Sequence, residues 1–446
     1  MKIIVIGGSA AGMAAAAKSK RVGRGVDVTV FEKSRFVSYA PCGLPYYFEG
    51  LVKKIDELVY YTVDYFIEKR GIDVRTEHEV TDIDESGKEV VAIDKKGKEV
   101  RMNYDKLIIA TGGKAFKPSI EGIGLERIHS LRTLEDGESL LKDVKKAEVI
   151  GIVGAGYIGI EMAEAFIKMG KKVKMFEMMD HVMPSFDKEA TKIIENELLL
   201  HGVELHLNER VKSFEGKDAI KKIVTEKGSY AIDVALLSIG VKPNVDLAKK
   251  IGLEIGETGG IKTNEFMQTS NEDIYAAGDN VETKNIVTKK PAYMPLAPAA
   301  NKMGRIAGEN VVEGNKKVFP GVAGTSITKF FDLQIGKTGL SLNEAIKNGF
   351  YAVATDIQHG TRSHYYPDNK KINVRLVADK KSHKLLGGEI TGWEGILGRI
   401  NTLAAAITNG MTAEQVAMLD MGYAPPFAPV WDAVIVAANV IQKKLS

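Results

Sequence analysis

Cys42 is the one cysteine in 446 residues. It stands in the stretch Ser38-Tyr39-Ala40-Pro41-Cys42-Gly43-Leu44-Pro45-Tyr46. A single thiol excludes an intramolecular disulfide framework and a multi-cysteine metal site, and no metal centre is expected. As a thiolate it can attack a disulfide R–S–S–R, release one thiol and remain as a mixed disulfide until an electron donor resolves it. A lowered thiol pKa would favour the attack, and N–H groups of the segment beginning at Gly43 are candidates for lowering it. Counted alone, a lone cysteine is equally well an inert core residue.

Two glycine runs supply a second kind of chemistry. Strand 3–6 (IIVI) leads into Gly7-Gly8-Ser9-Ala10-Ala11-Gly12 and an alanine-rich helix, and Glu32 closes the next strand at 27–32. Gly7 permits the tight turn and Gly12 close helix-to-strand packing, while the helix N-terminus presents N–H groups to a pyrophosphate. Ser9 stands where the fingerprint wants its second glycine. Strand 149–153 (VIGIV) leads into Gly154-Ala155-Gly156-Tyr157-Ile158-Gly159, a helix from about Ile160, and Glu177 at the end of strand 172–177. An acid in Glu177's place accepts a ribose 2′-OH and repels a 2′-phosphate, which favours NADH over NADPH, although Lys171, Lys172 and Lys174 soften that preference. One glycine run alone is an ordinary turn. Two complete units read as a protein with two dinucleotides, one of them a nicotinamide cofactor.

Rigid elements must position these residues. Short apolar strands alternating with helical stretches predict parallel sheets with helices on their faces. From about residue 321 the pattern changes to strands at 326–330, 350–357 and 372–378, then helical residues 394–408 and 412–418, a separate α+β domain. Pro118 and Pro243 mark linkers at 115–120 and 241–246. A net charge of +3 against 61 basic and 58 acidic residues gives no reason to infer nucleic acid or an anionic membrane as partner. The start imitates a signal peptide, but Gly7, Gly8 and Gly12 interrupt it, and with one cysteine a cytoplasmic location is expected. No uninterrupted apolar run reaches the ~18 residues of a spanning helix.

Taken with Ala110-Thr111-Gly112, SIGVKPN at 238–244, Thr269-Ser270 and Ile274-Tyr275-Ala276-Ala277-Gly278-Asp279, these motifs resemble the pyridine nucleotide-disulfide reductase superfamily along essentially the whole chain. The resemblance implies an α/β fold of two Rossmann-like dinucleotide-binding domains plus a C-terminal α+β dimerisation domain. It places a discontinuous FAD domain at 1–115 and 245–320, an NAD(P)H domain at 116–244 and the dimerisation domain at 321–446. FAD would lie on Gly7, Ser9, Ala10, Ala11, Gly12, Glu32, Thr111, Gly112, Gly278 and Asp279, with Asp279 bonding the ribityl chain. NAD(P)H would lie on Gly154, Gly156, Tyr157, Ile158, Gly159, Glu161, Glu177 and Gly240, and Tyr157 matches the residue that covers the flavin face until nicotinamide displaces it.

The single cysteine resembles the subgroup containing coenzyme A disulfide reductases, NADH oxidases and peroxidases, and archaeal NAD(P)H-dependent sulfur reductases. In that subgroup hydride passes from NADH to FAD, and two electrons go on to the mixed disulfide at the residue matching Cys42. Peroxidase relatives carry a histidine where this chain has Ala10, which argues against peroxidase chemistry. Tyr365, beside Tyr366, and Tyr423 match tyrosines that reach the partner subunit's cysteine and protonate the departing thiolate; interface packing is the competing role. Arg21, Ser38, Asn301 and Arg305 match coenzyme A contacts, and arginine suits phosphate. The resemblance therefore implies a homodimeric, FAD-dependent reductase of coenzyme A disulfide or a related persulfide or polysulfide. Its rivals are an NADH oxidase cycling Cys42 through a sulfenate and a flavin electron-transfer protein serving a protein partner, for which no docking patch is evident.

Overall fold

The computed structural model describes residues 1–445. Strand Lys2–Ile6 pairs in parallel with Asp27–Phe31 and Lys106–Ile109, and Asp73–Arg75 and Ile274–Ala276 complete a five-stranded sheet. Its centre is apolar on both faces, as a parallel sheet covered by helices requires. Helix Ala10–Val22 covers one face and packs closely on helix Ala297–Glu313, because Gly304 and Gly308 carry no side chain. A Cβ there would lie 2.1 and 2.2 Å from the Ala11 and Ala15 carbonyl oxygens.

A second five-stranded parallel sheet repeats the plan, with Val149–Val153 between Lys172–Phe176 and Val234–Leu237. Its covering helix runs from Tyr157 to Lys168, starting three residues earlier than the sequence suggests and so placing Tyr157 on the first turn. The short helix Leu44–Phe48 buries Leu44 and Phe48 in this second unit, where Phe48 meets Phe166 edge-on at 6.0 Å. Cys42 is thereby fixed between the two units. The linkers meet as a small antiparallel pair, Gly113–Ala115 with Val241–Pro243.

The five-stranded sheet of the C-terminal part is antiparallel, in the order Ser326–Phe330, Leu333–Gly339, Leu385–Gly392, Lys371–Asp379, Ala352–Gly360. Strands 350–357 and 372–378 thus appear as 352–360 and 371–379, and the helices as Ile396–Thr408 and Ala413–Ala417. Leu333–Gly339 and Leu385–Gly392 were not foreseen. Their glycines weaken a strand pattern, yet Gly336 and Gly388 are what lets Ile400 and Leu403 approach: a Cβ would lie 2.6 and 2.7 Å from those side chains. No helix among the described residues is long and apolar enough to cross a membrane.

Candidate active site

Both glycine turns are closed by the same contacts. Gly7, at φ +107°, would put a Cβ 2.2 Å from the Ala110 carbonyl oxygen, and Gly12 would put one 1.8 Å from the Gly7 carbonyl oxygen. In the second turn Gly154, at φ +100°, and Gly159 would clash with the carbonyl oxygens of Ser238 and Gly154 at 2.6 and 2.2 Å. The capping residues Ser9 and Gly156 make no side-chain cap bond. The first N–H groups of both helices therefore remain available to a pyrophosphate, and both cradles fit a dinucleotide.

The two acids do more than their spacing suggests. Glu32 accepts the Gly8 N–H at 2.6 Å and the Ser34 N–H at 2.8 Å. Glu177 accepts the Ala155 and Met179 N–H groups, each at 2.9 Å. Each buried carboxylate braces its turn and keeps further lone pairs for a ribose. Beside the first cradle, Gly278 packs on Ala11, the Thr111 hydroxyl donates to the Asn244 carbonyl at 2.7 Å, and Gly112 accepts the Asn244 N–H at 2.9 Å. Asp279 is held by Arg132 at 2.9 Å.

A cleft of about 1970 Å³ collects Cys42, Arg132, Gly154, Gly156, Tyr157, Ile158, Glu161, Glu177, Gly240 and Arg305. Cys42 is exposed to it from a single 3₁₀ turn, Pro41–Gly43. Burial within the cleft walls pushes the thiol pKa up, the Glu161 carboxylate pushes it further, Arg132 pulls it down, and Asp279 raises it. The expected help from the N–H group of Gly43 is not there, because that group donates to the Ala40 carbonyl at 3.0 Å; the backbone bond that lowers the thiol pKa, the smallest of these influences, is Cys42's own. Glu161 is itself raised by burial and accepts the Thr328 hydroxyl at 2.6 Å, while the Tyr157 hydroxyl meets that of Ser326.

The model of the family described as pyridine nucleotide-disulphide oxidoreductase matches residues 1–304, and that of its dimerisation domain matches 325–434. This chain belongs to that family. It is 45% identical over 444 residues to the NAD(P)H sulfur oxidoreductase (CoA-dependent) of Pyrococcus furiosus, covering 99% of both. It is 34% identical over 449 residues to an NADH oxidase of Methanocaldococcus jannaschii, covering 100% of both. The solved NAD-dependent persulfide reductase from A. fulgidus superposes with a TM-score of 0.97 at 40% identity, over 100% of this chain and 83% of that one.

In this oxidoreductase Tyr365 and Tyr423, far apart in sequence, come close enough together for Tyr365 to raise the Tyr423 pKa. Both are exposed, at 64% and 49%, near the exposed Phe427 and Trp431, within the segment matched by the dimerisation-domain model. Neither lines the Cys42 cleft of its own chain. Of the residues matched to coenzyme A contacts, Arg305 lines the cleft with Lys18 and Lys302. Arg21, Ser38 and Asn301 do not line it, although Ser38 borders the first cradle through its N–H bond to the Gly8 carbonyl at 2.8 Å. Arg132 escaped notice in the sequence of this oxidoreductase: it precedes the Thr133-capped helix Leu134–Val144, and nothing local marks it. Ser326 and Thr328 had a weak signal, as alternate polar positions of the SITKF strand.

Proposed function

We propose that this oxidoreductase uses NADH in preference to NADPH to reduce coenzyme A disulfide, or a related persulfide or polysulfide, at Cys42, as an FAD-containing homodimer. The observation that carries the reading is the exposure of the one cysteine to the same cleft as the second cradle and Tyr157. Cys42 as thiolate attacks one sulfur of the substrate; a Cys42–S bond forms, the substrate S–S bond breaks and one thiolate leaves. Bound FAD would supply the two-electron link between nicotinamide and sulfur that this chain's own side chains lack. Gly7, Gly12, Glu32 and Asp279 would hold it, and Gly154, Gly156, Gly159 and Glu177 the nicotinamide cofactor. Arg132 favours the thiolate, and Tyr157 covers the flavin face between turnovers. From the partner subunit, the pair Tyr365 and Tyr423 gives the leaving thiolate its proton. Arg21, Ser38, Asn301 and Arg305 contact coenzyme A.

The name of the Pyrococcus furiosus relative supports the sulfur substrate, and that of the Methanocaldococcus jannaschii relative supports oxygen as the competing acceptor. Incubation of the FAD-loaded protein with NADH and coenzyme A disulfide, with free thiols and O₂ consumption followed together, decides between them. Two thiols per NADH with little O₂ uptake is the expected result. Stoichiometric O₂ uptake without thiol release would make the protein an oxidase.

A further inference from the structure

The helical stretch that carries Cys42 meets the helix of the second cradle through two matching rows. Its 3₁₀ and α turns run on from Pro41 to Phe48 and end on Glu49, so Cys42, Tyr46 and Glu49, at i, i+4 and i+7, share one face. On helix Tyr157–Lys168, Glu161, Glu164 and Lys168 share one at i, i+3 and i+7. Glu164 is 1% exposed. Burying a carboxylate is costly unless it is paired and hydrogen-bonded, and both its oxygens are engaged. Oε1 accepts Lys168 Nζ and Lys329 Nζ, each at 2.6 Å, and Oε2 accepts the Phe331 N–H at 2.8 Å. Each lysine then grips one residue of the cysteine stretch. Lys168 donates to Glu49 Oε2 at 3.0 Å, and Lys329 Nζ lies 5.9 Å from the centre of the Tyr46 ring. Beside Lys329, Thr328 donates to Glu161 at 2.6 Å. Glu161 stands at the Cys42 end of the rows: both line the cleft, and after burial Glu161 does most to raise the thiol pKa.

We propose that Glu164 is a positioning residue for Cys42: through Lys168 and Lys329 it sets the register of the stretch Pro41–Phe48 against helix Tyr157–Lys168, and so the place of the sulfur in the cleft. The inference rests on the reading of Cys42 as the sulfur that attacks the substrate. Leu44 and Phe48 are buried on the second unit and fix how deep the stretch sits. Apolar burial is non-directional, however, and does not choose among registers. A buried ion network has one arrangement in which every charge is bonded, and here that arrangement ties Glu49 to Lys168 and Tyr46 to Lys329. A slip of one residue along a helix moves the chain by ~1.5 Å. A displacement of that size is enough to spoil an attack that needs the sulfur in line with the substrate disulfide on one side and within reach of the electron donor on the other. The same carboxylate joins three parts of the molecule, since Phe331 and Lys329 belong to the C-terminal domain, Lys168 to the second unit and Glu49 to the cysteine stretch.

Rapid mixing of the FAD-loaded protein without oxygen separates the two halves of the reaction: reduction by NADH, followed by flavin absorbance, and then thiol release from coenzyme A disulfide. Glu164→Gln offers one oxygen to two ammonium groups, while Glu49→Lys and Lys168→Glu each set like charges against one another. All three should slow thiol release ~10-fold or more. Reduction by NADH should be unchanged, because neither glycine turn nor its acid is altered. The double variant Glu49→Lys/Lys168→Glu restores an opposed pair with the signs exchanged and should recover thiol release to within ~3-fold of the wild type. Wild-type release by the single variants, or a double variant no faster than the singles, overturns the inference. So does a parallel loss of both half-reactions in all of them, which is what a merely weakened fold would give. Cys42→Ser separates the inference from the reading beneath. If that variant still releases thiol, both fall; if it does not, while the Glu164, Glu49 and Lys168 variants release thiol at the wild-type rate, only the positioning role falls.

Discussion

Arg132 and Asp279 lie 147 positions apart in the chain and 2.9 Å apart in space. The arginine joins the acid assigned to the flavin to the cleft that holds Cys42, where it is the side chain that lowers the thiol pKa. Arg132→Met removes that charge and frees the Asp279 carboxylate, and both changes disfavour the thiolate. The midpoint of Cys42 alkylation by iodoacetamide should move up by about one pH unit. An unmoved midpoint would restrict Arg132 to holding Asp279.

Gly12→Val should abolish flavin retention. A side chain there would begin 1.8 Å from the Gly7 carbonyl oxygen, so the helix must withdraw from the turn that cradles the pyrophosphate. The ratio of FAD to protein in the purified variant checks this, and full occupancy would contradict the assignment of the first cradle.

Glu177→Arg should reverse the nicotinamide preference toward NADPH. It also removes the acceptor of the Ala155 and Met179 N–H groups. At about 1.5–3 kcal/mol for a bond to a charged group, kcat/KM with NADH should fall by at least ~10-fold. A wild type that already prefers NADPH would show that the lysines near residue 172 outweigh the acid.

Cys42→Ser should still be reduced by NADH, since neither cradle is touched, and should lose disulfide reduction, since a hydroxyl forms no mixed disulfide. Residual slow O₂ consumption is compatible with this; intact thiol release is not. Tyr423→Phe should slow thiol release and leave the reduction of the protein by NADH unchanged.

Glu389→Gln should stabilise the protein most at alkaline pH. A carboxyl at about 8 when folded and about 4.3 when unfolded binds more protons in the folded state, so stability falls as pH rises across that window. Glutamine removes the loss. The difference in Tm between variant and wild type should be small near pH 5 and grow toward pH 8, by roughly 2–4 °C for each kcal/mol.

The sequence by itself determined both glycine turns with their acids and two of the C-terminal helices, Ile396–Thr408 and Ala413–Ala417. A strand, a glycine turn, a helix and the next strand follow one another within a short stretch, and the steric demands at Gly7, Gly12, Gly154 and Gly159 are met by neighbours in that stretch or by one adjoining strand. It also singled out Cys42 by count. Only the tertiary structure decided what surrounds that thiol. Burial, and then Glu161 from a distant segment, raise the thiol pKa where the Gly43 turn alone suggested a lowering, and Arg132 from another distant segment offsets part of the rise. The strands Leu333–Gly339 and Leu385–Gly392 stayed hidden because their glycines are chosen by what packs on them, the helix at Gly336 and Gly388 and neighbouring backbone at Gly339, Gly387 and Gly392. Lys337, Glu389, Arg375 and Asp356, which stand opposite one another on four neighbouring strands of the C-terminal sheet, stayed hidden for a related reason: in sequence each is an ordinary charged residue, and the sheet register alone makes them neighbours. Backbone turns are written in local sterics, whereas the electrostatics of a buried site depends on which charges folding brings within a few ångströms.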